Sequence, residues 1–262
     1  MERGSMAAAQ KPIPSVWTRP RPGRGQPALS REQIVTEAVL LLDAQGVESL
    51  SMRKLGTRLG AGATSLYRHV ANKDELIELV VDEVYGELEL PQPAGPADWR
   101  TQVSAVARDL RAMALRHPWV ATVLGQVGLV HLGPNAMRMS ERMLALFEAA
   151  GFPSDETDQA VGTLVSYVIG TATSEAAYLS MIARSGMDER DWVAHLLPAV
   201  EEAAEDLPRL RNGAAAQRDK DPGQIREDSF TYGLDRVLDG LETRIAGAGG
   251  RPVDPAGVGR PG

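Results

Sequence analysis

The sequence predicts an all-α fold with a small N-terminal domain and a larger C-terminal one. Apolar residues recur at intervals of three and four over most of the 262 residues, which is the period of an amphipathic helix. No segment alternates β-branched and polar residues as a half-buried strand does. The length exceeds that of a typical single domain, and residues 91–96 ("PQPAGP") form a turn or linker between two helical regions.

Four helices are expected before that linker. In the first, the apolar residues lie on one stripe between two capping residues. The second is short, and glycines separate it from a third helix over residues 63–69. The fourth carries apolar residues at intervals of four. The expected N-caps and helix-breaking glycines are, in chain order, Ser30, Gly46, Ser51, Gly60, Gly62, and Asn72 or Asp74.

The rest of the chain also predicts helices, with irregular stretches at 209–222 and at both ends. Residues 209–222 are polar and rich in helix breakers, so a loop is expected there. The predicted helices cover residues 99–116, 118–130, 134–150, 154–183, 189–206 and 224–245. The predicted domains are a disordered Arg/Pro-rich arm (1–28), a first helical domain (29–90), a second helical domain (97–246) and a disordered tail (247–262).

Charge is distributed unevenly along this acidic chain. The formal net charge is −7, yet residues 1–30 hold five Lys or Arg against one acid. Residues 49–73 contain five basic residues and no acid, whereas residues 86–262 carry a balance of −8. A basic front on an acidic body indicates a polyanionic partner at one end of the molecule. Chance clustering is the alternative.

Composition excludes several classes of function. The chain has no cysteine, which excludes disulfides, thiolate zinc sites and cysteine nucleophiles. Neither a signal-peptide core nor a run of eighteen apolar residues occurs, so a cytoplasmic protein without a membrane partner is expected. No nucleophile–base pair, phosphate loop or metal-spaced cluster is visible, so we expect no catalytic residue, metal or cofactor.

Residues 51–70 ("SMRKLGTRLGAGATSLYRHV") combine two short helices with a tight glycine-containing turn. This is the helix-turn-helix arrangement, whose second helix enters the major groove of DNA. Small residues at the start of that helix allow close approach to base edges, and hydroxyl groups there bind bases or phosphates. The residues spaced to pack inward are Leu55, Leu59, Leu66 and Val70.

Three features of residues 30–85 are specific together: Gly46 after the first helix, "SMRKLG" opening the second, and "SLYRHV" followed by "NKDELI". With them the chain resembles the TetR family of transcriptional regulators. Later segments ("RHPW", Gly133–Pro134 and "FEAAGF") resemble, more loosely, the ligand-binding and dimerising domain of the tetracycline-repressor subgroup. The resemblance covers most of residues 30–245 and implies a homodimeric repressor that binds a palindromic double-stranded DNA operator and is released by a small-molecule effector.

The resemblance also implies roles for single residues. Arg53 is expected to contact a base or a phosphate, whereas residues 63–65 face the bases. Tyr67, His69 and Lys73 match positions that bind phosphates. The alternatives are that Tyr67 packs against the first helix and that the other polar side chains are simply solvated. The DNA-binding residues predicted in this domain are Arg53, Ala63, Thr64, Ser65, Tyr67, Arg68, His69 and Lys73.

The arginines of the N-terminal arm are also predicted to bind DNA: Arg19, Arg21 and Arg24. Prolines at 20, 22 and 27 keep the arm extended, which reduces the entropy lost on binding. Ten residues span roughly 33 Å at most, and the neighbouring minor groove lies about 17 Å from the major groove. The arginines are therefore expected to enter the minor groove or bind phosphates. A leader without a role in recognition is the alternative.

The second domain is expected to form the dimer and to bind the effector. Residues 160–179 are rich in small side chains and, with residues 224–245, are expected to form a four-helix dimer interface; packing within one chain is the alternative. The apolar residues of the latter helix are Phe230, Leu234, Val237, Leu238 and Leu241.

Aromatic, methionine and polar-tipped side chains favour an apolar or amphipathic effector. The predicted ligand-binding residues are Trp119, His131, Asn135, Met143, Tyr167 and Tyr178, with no metal role for His131. Core packing is the alternative for each of them. At the level of function, the alternatives are a constitutive or architectural DNA-binding protein without an effector, and a helical enzyme with an accessory helix-turn-helix.

Overall fold

A computed structural model of the chain describes residues 29–93, 95–127 and 133–248. Throughout these ranges the chain forms helices and turns and no strand, which confirms the predicted all-α class. The predicted arm with Arg19, Arg21 and Arg24 lies outside the described residues, as do His131 and the tail beyond Ala248. Of the described helices, none combines the length and the apolar character needed to cross a membrane.

The described residues divide into two units. The first contains residues 29–86 and 133–137, and the second contains residues 87–127 and 138–248. In the first unit the helices are α1 (Arg31–Gln45), α2 (Met52–Arg58), α3 (Ala63–Leu66) and α4 (Lys73–Tyr85), with a single 3-10 turn at Val47–Ser49.

Side-chain caps begin α1, α2 and α4 of the first unit at residues that the sequence predicts. Ser30 and Gln33 form a reciprocal capping box, in which the Ser30 hydroxyl accepts from the Gln33 N–H at 3.1 Å. Asn72, rather than Asp74, caps α4 by accepting from the Glu75 N–H at 2.8 Å. The buried core of the unit includes Ile34, Val35, Ala38, Leu41 and Leu42 of α1, and Leu76, Val80 and Val84 of α4.

The second unit is a larger helical body. Its helices are α5 (Trp99–Arg116), α6 (Trp119–Val127), α7 (Pro134–Ala149), α8 (Ser154–Ser185), α9 (Glu189–Ala203), α10 (Pro208–Gln217) and α11 (Pro222–Ala248); the first turn of α7, residues 134–137, is assigned to the first unit. The 32-residue α8 packs against α5 on one side and α11 on another. Trp99, Phe147 and Phe152 form an aromatic cluster with ring centroids 4.9–5.9 Å apart.

Apart from shifts of a few residues at helix ends, two features differ from the sequence-based expectation. Residues 209–222 were expected to be a loop, but residues 208–217 form α10. Pro208 occupies the first turn, where its missing N–H costs nothing, and three alanines at 214–216 favour the helix. The third helix is shorter than predicted: it ends at Leu66, and hydrogen-bonded turns continue the chain to Val70.

The apolar stripe of α11, which the sequence predicts to lie in a dimer interface, is partly buried within one chain. Phe230, Leu234 and Leu238 are buried within a single chain, where α11 packs on α8. These residues are therefore part of the core of the unit. The exposed side of α11 instead presents Tyr232, Arg236 and Gly240.

Candidate functional site

The helix-turn-helix is held by a defined set of backbone hydrogen bonds. Ser51 caps α2 by accepting from the Lys54 N–H at 3.2 Å. At the end of α2, Ala61 N–H donates to Gly56 O at 2.8 Å and Gly60 N–H to Thr57 O at 3.2 Å. This is the Schellman pattern, and Gly60 adopts the left-handed φ of 62° that it requires. The turn therefore sets the direction in which α3 leaves α2.

The side chains of this motif divide into a buried face and an exposed face. Leu55, Leu66 and Val70 are fully buried, and Leu59 is half-buried. Opposite them, the side chain of Tyr67 is 51% exposed. The predicted DNA-binding residues that are exposed are Arg53, Thr64, Ser65, Tyr67, Arg68 and Lys73, while Ala63 and His69 are half-buried. The basic, acid-free stretch of the sequence thus presents its polar side chains to solvent.

Asp82 of α4 is a buried carboxylate that caps the first turn of α7. Its Oδ1 accepts from the backbone N–H groups of Asn135 at 2.9 Å and Ala136 at 3.0 Å. The Asn135 side chain donates in return to the Asp82 backbone carbonyl at 2.9 Å. A Cβ at Gly133 would lie 2.1 Å from Asp82 Oδ1, so only glycine leaves room for this contact.

Five charged residues of α5, α8, α9 and α11 form an arginine–glutamate cluster: Arg111, Glu175, Glu189, Arg226 and Glu227. Arg111 donates to both Glu175 oxygens, at 2.7 and 2.9 Å, and to Glu227 at 2.5 Å. Arg226 donates to Glu175 at 2.9 Å and also to Glu189. Burial alone would raise the pKa of Glu175, but hydrogen bonds and charge from the two guanidinium groups lower it overall.

Two cavities lie beside this cluster and share Tyr178, Ile225 and Arg226 in their walls. We call the two cavities together the Tyr178 cleft. The larger, of about 640 Å³, lies between α8 and α11, and the smaller, of about 270 Å³, lies between α8, α9 and the start of α11. The smaller cavity is further lined by Glu189, Val193, Leu197, Arg218, Lys220 and Pro222. Burial raises the pKa of the Tyr178 hydroxyl, and the neighbouring Glu189 carboxylate raises it further.

The predicted ligand residues do not meet at one described site. Tyr167 and Tyr178 line the larger cavity, although the Tyr167 hydroxyl donates to Phe230 O at 2.7 Å. Trp119 and Met143 are buried in the interior of the second unit. Asn135 belongs to the Asp82 contact of the first unit.

The sequence analysis missed Arg226 and Glu175, which border the Tyr178 cleft, and Asp82. Arg226 and Glu175 are 51 residues apart in sequence, so no local motif marks them as partners. Asp82 offered one signal: it lies among apolar residues of α4, on the buried side of the helix.

Known proteins with matching domains confirm the resemblance. Residues 34–80 match the family described as "Bacterial regulatory proteins, tetR family", and residues 91–245 match the "Tetracyclin repressor-like, C-terminal domain". The HTH-type transcriptional repressor DrrR1 of Streptomyces coeruleorubidus is 35% identical over 233 residues, which cover 88% of this chain and 84% of that protein.

Solved structures lead to the same group. Apo ActR from Streptomyces coelicolor superposes with a TM-score of 0.69 at 30% identity, and the match covers 86% of this chain and 100% of the ActR chain. ActR in complex with actinorhodin superposes with a TM-score of 0.68 at 32% identity, covering 81% of this chain and 95% of that one.

An exposed, basic helix-turn-helix joined in sequence to a helical body with ligand-sized cavities defines a DNA-binding transcriptional regulator. The chain belongs to the TetR family of bacterial transcriptional regulators. Its function is that of a ligand-responsive transcriptional repressor.

Proposed function

We propose that the exposed face of α2 and α3, with the start of α4, binds the operator. The observation that carries this proposal is the fixed, outward position of Thr64 and Ser65 at the start of α3, next to a turn held by the Schellman hydrogen bonds. A homodimer places one such helix in each of two successive major grooves, so the operator is roughly palindromic.

Within this surface, base reading and phosphate binding fall to different residues. Ala63, Thr64 and Ser65 face the base edges, where a small or hydroxyl-bearing side chain fits closely. The phosphate contacts come from longer polar side chains that flank α3 and carry no sequence information. We assign the flanking contacts to Arg53, Tyr67, Arg68, His69 and Lys73, with Arg53 also within reach of a base.

Substitutions test this division directly. Lys73→Gln and Tyr67→Phe are expected to weaken binding to all operator sequences alike, because each removes a phosphate contact. The double variant Thr64→Ala/Ser65→Ala is expected to change the preferred bases, by about 1–3 kcal/mol for each good contact. Selection from a randomised operator library measures both effects. An unchanged base preference in the double variant would contradict the assignment of α3.

Arg19, Arg21 and Arg24 are proposed to extend the DNA contact beyond the helix-turn-helix. The argument is their concentration among prolines shortly before α1, on the basic end of an acidic chain. Arginines on such an arm neutralise phosphates or enter the narrow minor groove of A·T-rich DNA. The three arginines double to six in a homodimer.

Deletion of residues 1–27 is expected to lower both operator affinity and its salt dependence. Loss of six phosphate contacts per dimer changes the slope of log affinity against log salt by up to about 5. Fluorescence anisotropy over a salt series measures the slope, with ligand binding as the control that the second unit is intact. Equal slopes for the truncated and full-length proteins would show that the arm has no part in recognition.

Dimerisation is proposed to use the exposed sides of α8 and α11. On α8, Gly162, Ser166, Gly170 and Ser174 recur at intervals of four and are all exposed. A stripe of such small side chains lets a second helix approach closely. On α11 the exposed residues Tyr232, Arg236 and Gly240 also recur at intervals of four, and Tyr232 is 66% exposed.

The effector is proposed to bind the second unit in the smaller cavity of the Tyr178 cleft, because the larger cavity is lined by Ser166, Gly170 and Ser174 of the stripe proposed to pair. The smaller cavity combines apolar walls with a few polar groups. ActR, which is similar in fold and sequence, has been solved in complex with actinorhodin. An apolar or amphipathic effector that binds better to a conformation unable to hold the operator releases the DNA through that difference in affinity. Cleft ligands that leave the operator complex intact would favour a constitutive DNA-binding protein.

A further inference from the structure

The smaller cavity of the Tyr178 cleft has an uneven distribution of charge. Its walls carry three basic side chains, Arg218, Lys220 and Arg226, and one acidic side chain, Glu189. Arg226 is bonded to Glu189 and Glu175, and Arg218 to Glu201. Among the residues that the structure describes, Lys220 has no carboxylate within salt-bridge distance. Lys220, which is exposed and lies between Asp219 and Asp221 in the sequence, is therefore the basic side chain of these walls that is free of a direct ion pair.

The remaining walls of the cavity are apolar. Val193 and Leu197 lie one turn apart on α9, and Ile225 faces the cavity from α11. The Tyr178 ring adds an aromatic surface that both cavities share. A volume of about 270 Å³ lies just below the usual range of drug-sized sites and fits a ligand of one or two rings.

We propose that this cavity binds a monoanionic amphiphile, an aromatic carboxylate, with its rings between Val193, Leu197 and Ile225 and its carboxylate at the Lys220 ammonium group. The inference rests on the proposed function, in which effectors bind the Tyr178 cleft, and it specifies their charge. A carboxylate complements an ammonium group through a charge-assisted hydrogen bond.

Ligands of other charge fit the cavity less well. A cationic ligand would approach the three basic side chains, and the one carboxylate in the walls already accepts from Arg226. A neutral ligand of the same shape gains the apolar contacts but forms no charge-assisted hydrogen bond with Lys220. The charge of the ligand is therefore expected to determine selectivity, while the apolar contacts of its rings supply the affinity that charged and neutral ligands share.

Calorimetric titration of the full chain with 2-naphthoate and with the neutral 2-naphthamide tests the proposal. Wild-type protein is expected to prefer the carboxylate. Lys220→Gln is expected to weaken 2-naphthoate about tenfold, as the loss of one charge-assisted hydrogen bond does, and to leave 2-naphthamide unchanged. Lys54→Gln removes a lysine from the first unit, where it is bonded to Gln45, and is the matched control that changes neither ligand.

A second variant separates the charge preference from the cleft itself. Val193→Trp fills the cavity and is expected to weaken both ligands. If Lys220→Gln and wild type bind the two ligands with the same ratio of affinities, the anion preference is wrong although the cleft still binds effectors. If neither ligand binds, or if Val193→Trp, shown by its melting curve to be folded, leaves both affinities unchanged, the smaller cavity is not the effector site.

Discussion

The Asp82 carboxylate is buried, and burying a charge costs free energy unless the group is fully hydrogen-bonded. Its side chain is 5% exposed, and it accepts from two backbone N–H groups at the start of α7. Helix N-termini leave such groups without partners inside the helix, and an anion there is further favoured by the helix dipole. Gly133, the residue before α7, has no side chain to provide a cap, so the acceptor comes from α4 instead.

Replacement of Asp82 by alanine is expected to destabilise the first unit by about 2 kcal/mol, because two buried donors lose their charged acceptor. Urea unfolding followed by helical circular dichroism measures the change. Glu83→Ala is the matched control: it removes an exposed carboxylate from the next position of the same helix and is expected to change the free energy of unfolding by less than about 0.5 kcal/mol. Equal effects of the two substitutions would contradict the capping role.

Glu175 connects stability to pH. Because its pKa in the folded protein is below the ordinary value of 4.5, the ionised side chain stabilises the folded state above that pH. This contribution is lost as the pH falls through the lower, folded-state pKa. Wild-type protein is therefore expected to lose stability in acid more steeply than a variant in which residue 175 does not ionise.

Glu175→Gln is expected to cost about 2 kcal/mol at neutral pH, since Arg111 and Arg226 lose their shared carboxylate and keep one carboxylate partner each. The difference from wild type is expected to shrink below pH 4.5. Thermal unfolding across a pH series measures it. Glu156→Gln breaks the exposed pair with Arg244 and, as the control, is expected to cost less than about 1 kcal/mol at any pH. A constant difference between wild type and Glu175→Gln at all pH values would show that the lowered pKa of Glu175 does not contribute to stability.

At the scale of the helices, the sequence predicted what depends on local chemistry. The caps at Ser30 and Ser51 lie where the sequence predicts them, and of the two candidates for the start of α4 the cap is Asn72. Gly60 ends α2, as predicted for a helix breaker, and does so with a left-handed φ. Helix α10 does not follow from the sequence pattern, because the polar residues and helix breakers of 209–222 indicate a loop. Pro208 stands at the first turn of the helix, the one position where proline favours it.

The candidate ligand site was predicted less well, because side chains distant in sequence build it. Tyr178 was predicted as a ligand residue from its type alone, and it lies in the walls of both cavities. Arg226 reaches the same site from α11, although it lies 51 residues after its partner Glu175 in the sequence. Helical periodicity indicates which side of a helix is buried, but it does not indicate which other helix covers that side.

At the scale of the whole molecule, the two units differ in what they present to a partner. The first carries the basic, acid-free stretch of residues 49–73, while residues 86–262 hold an excess of eight acidic charges. The acidic body disfavours non-specific contact with DNA phosphates, so attraction to DNA is confined to the basic end of the chain. This asymmetry favours specific association through the helix-turn-helix.

The exposed glycines of α8 have a consequence for the thermodynamics of folding. Gly162 and Gly170 lie inside a 32-residue helix, and each costs about 1 kcal/mol of helix stability relative to alanine. In the proposed dimer, the close approach that the missing side chains permit is expected to offset this cost. Folding and pairing would then be coupled by mass action, and the melting temperature is expected to rise with protein concentration.

Calorimetry over a dilution series distinguishes the two contributions. The double variant Gly162→Ala/Gly170→Ala is expected to melt above wild type at high dilution, where helix propensity within one chain determines the melting temperature. It is expected to lose this advantage at high concentration, where the stability of the dimer determines it. Gly170→Arg, which places a long charged side chain on the same stripe, is expected to melt at a temperature independent of concentration. A wild-type melting temperature that does not change on dilution would mean that chain pairing adds nothing to the stability of the fold.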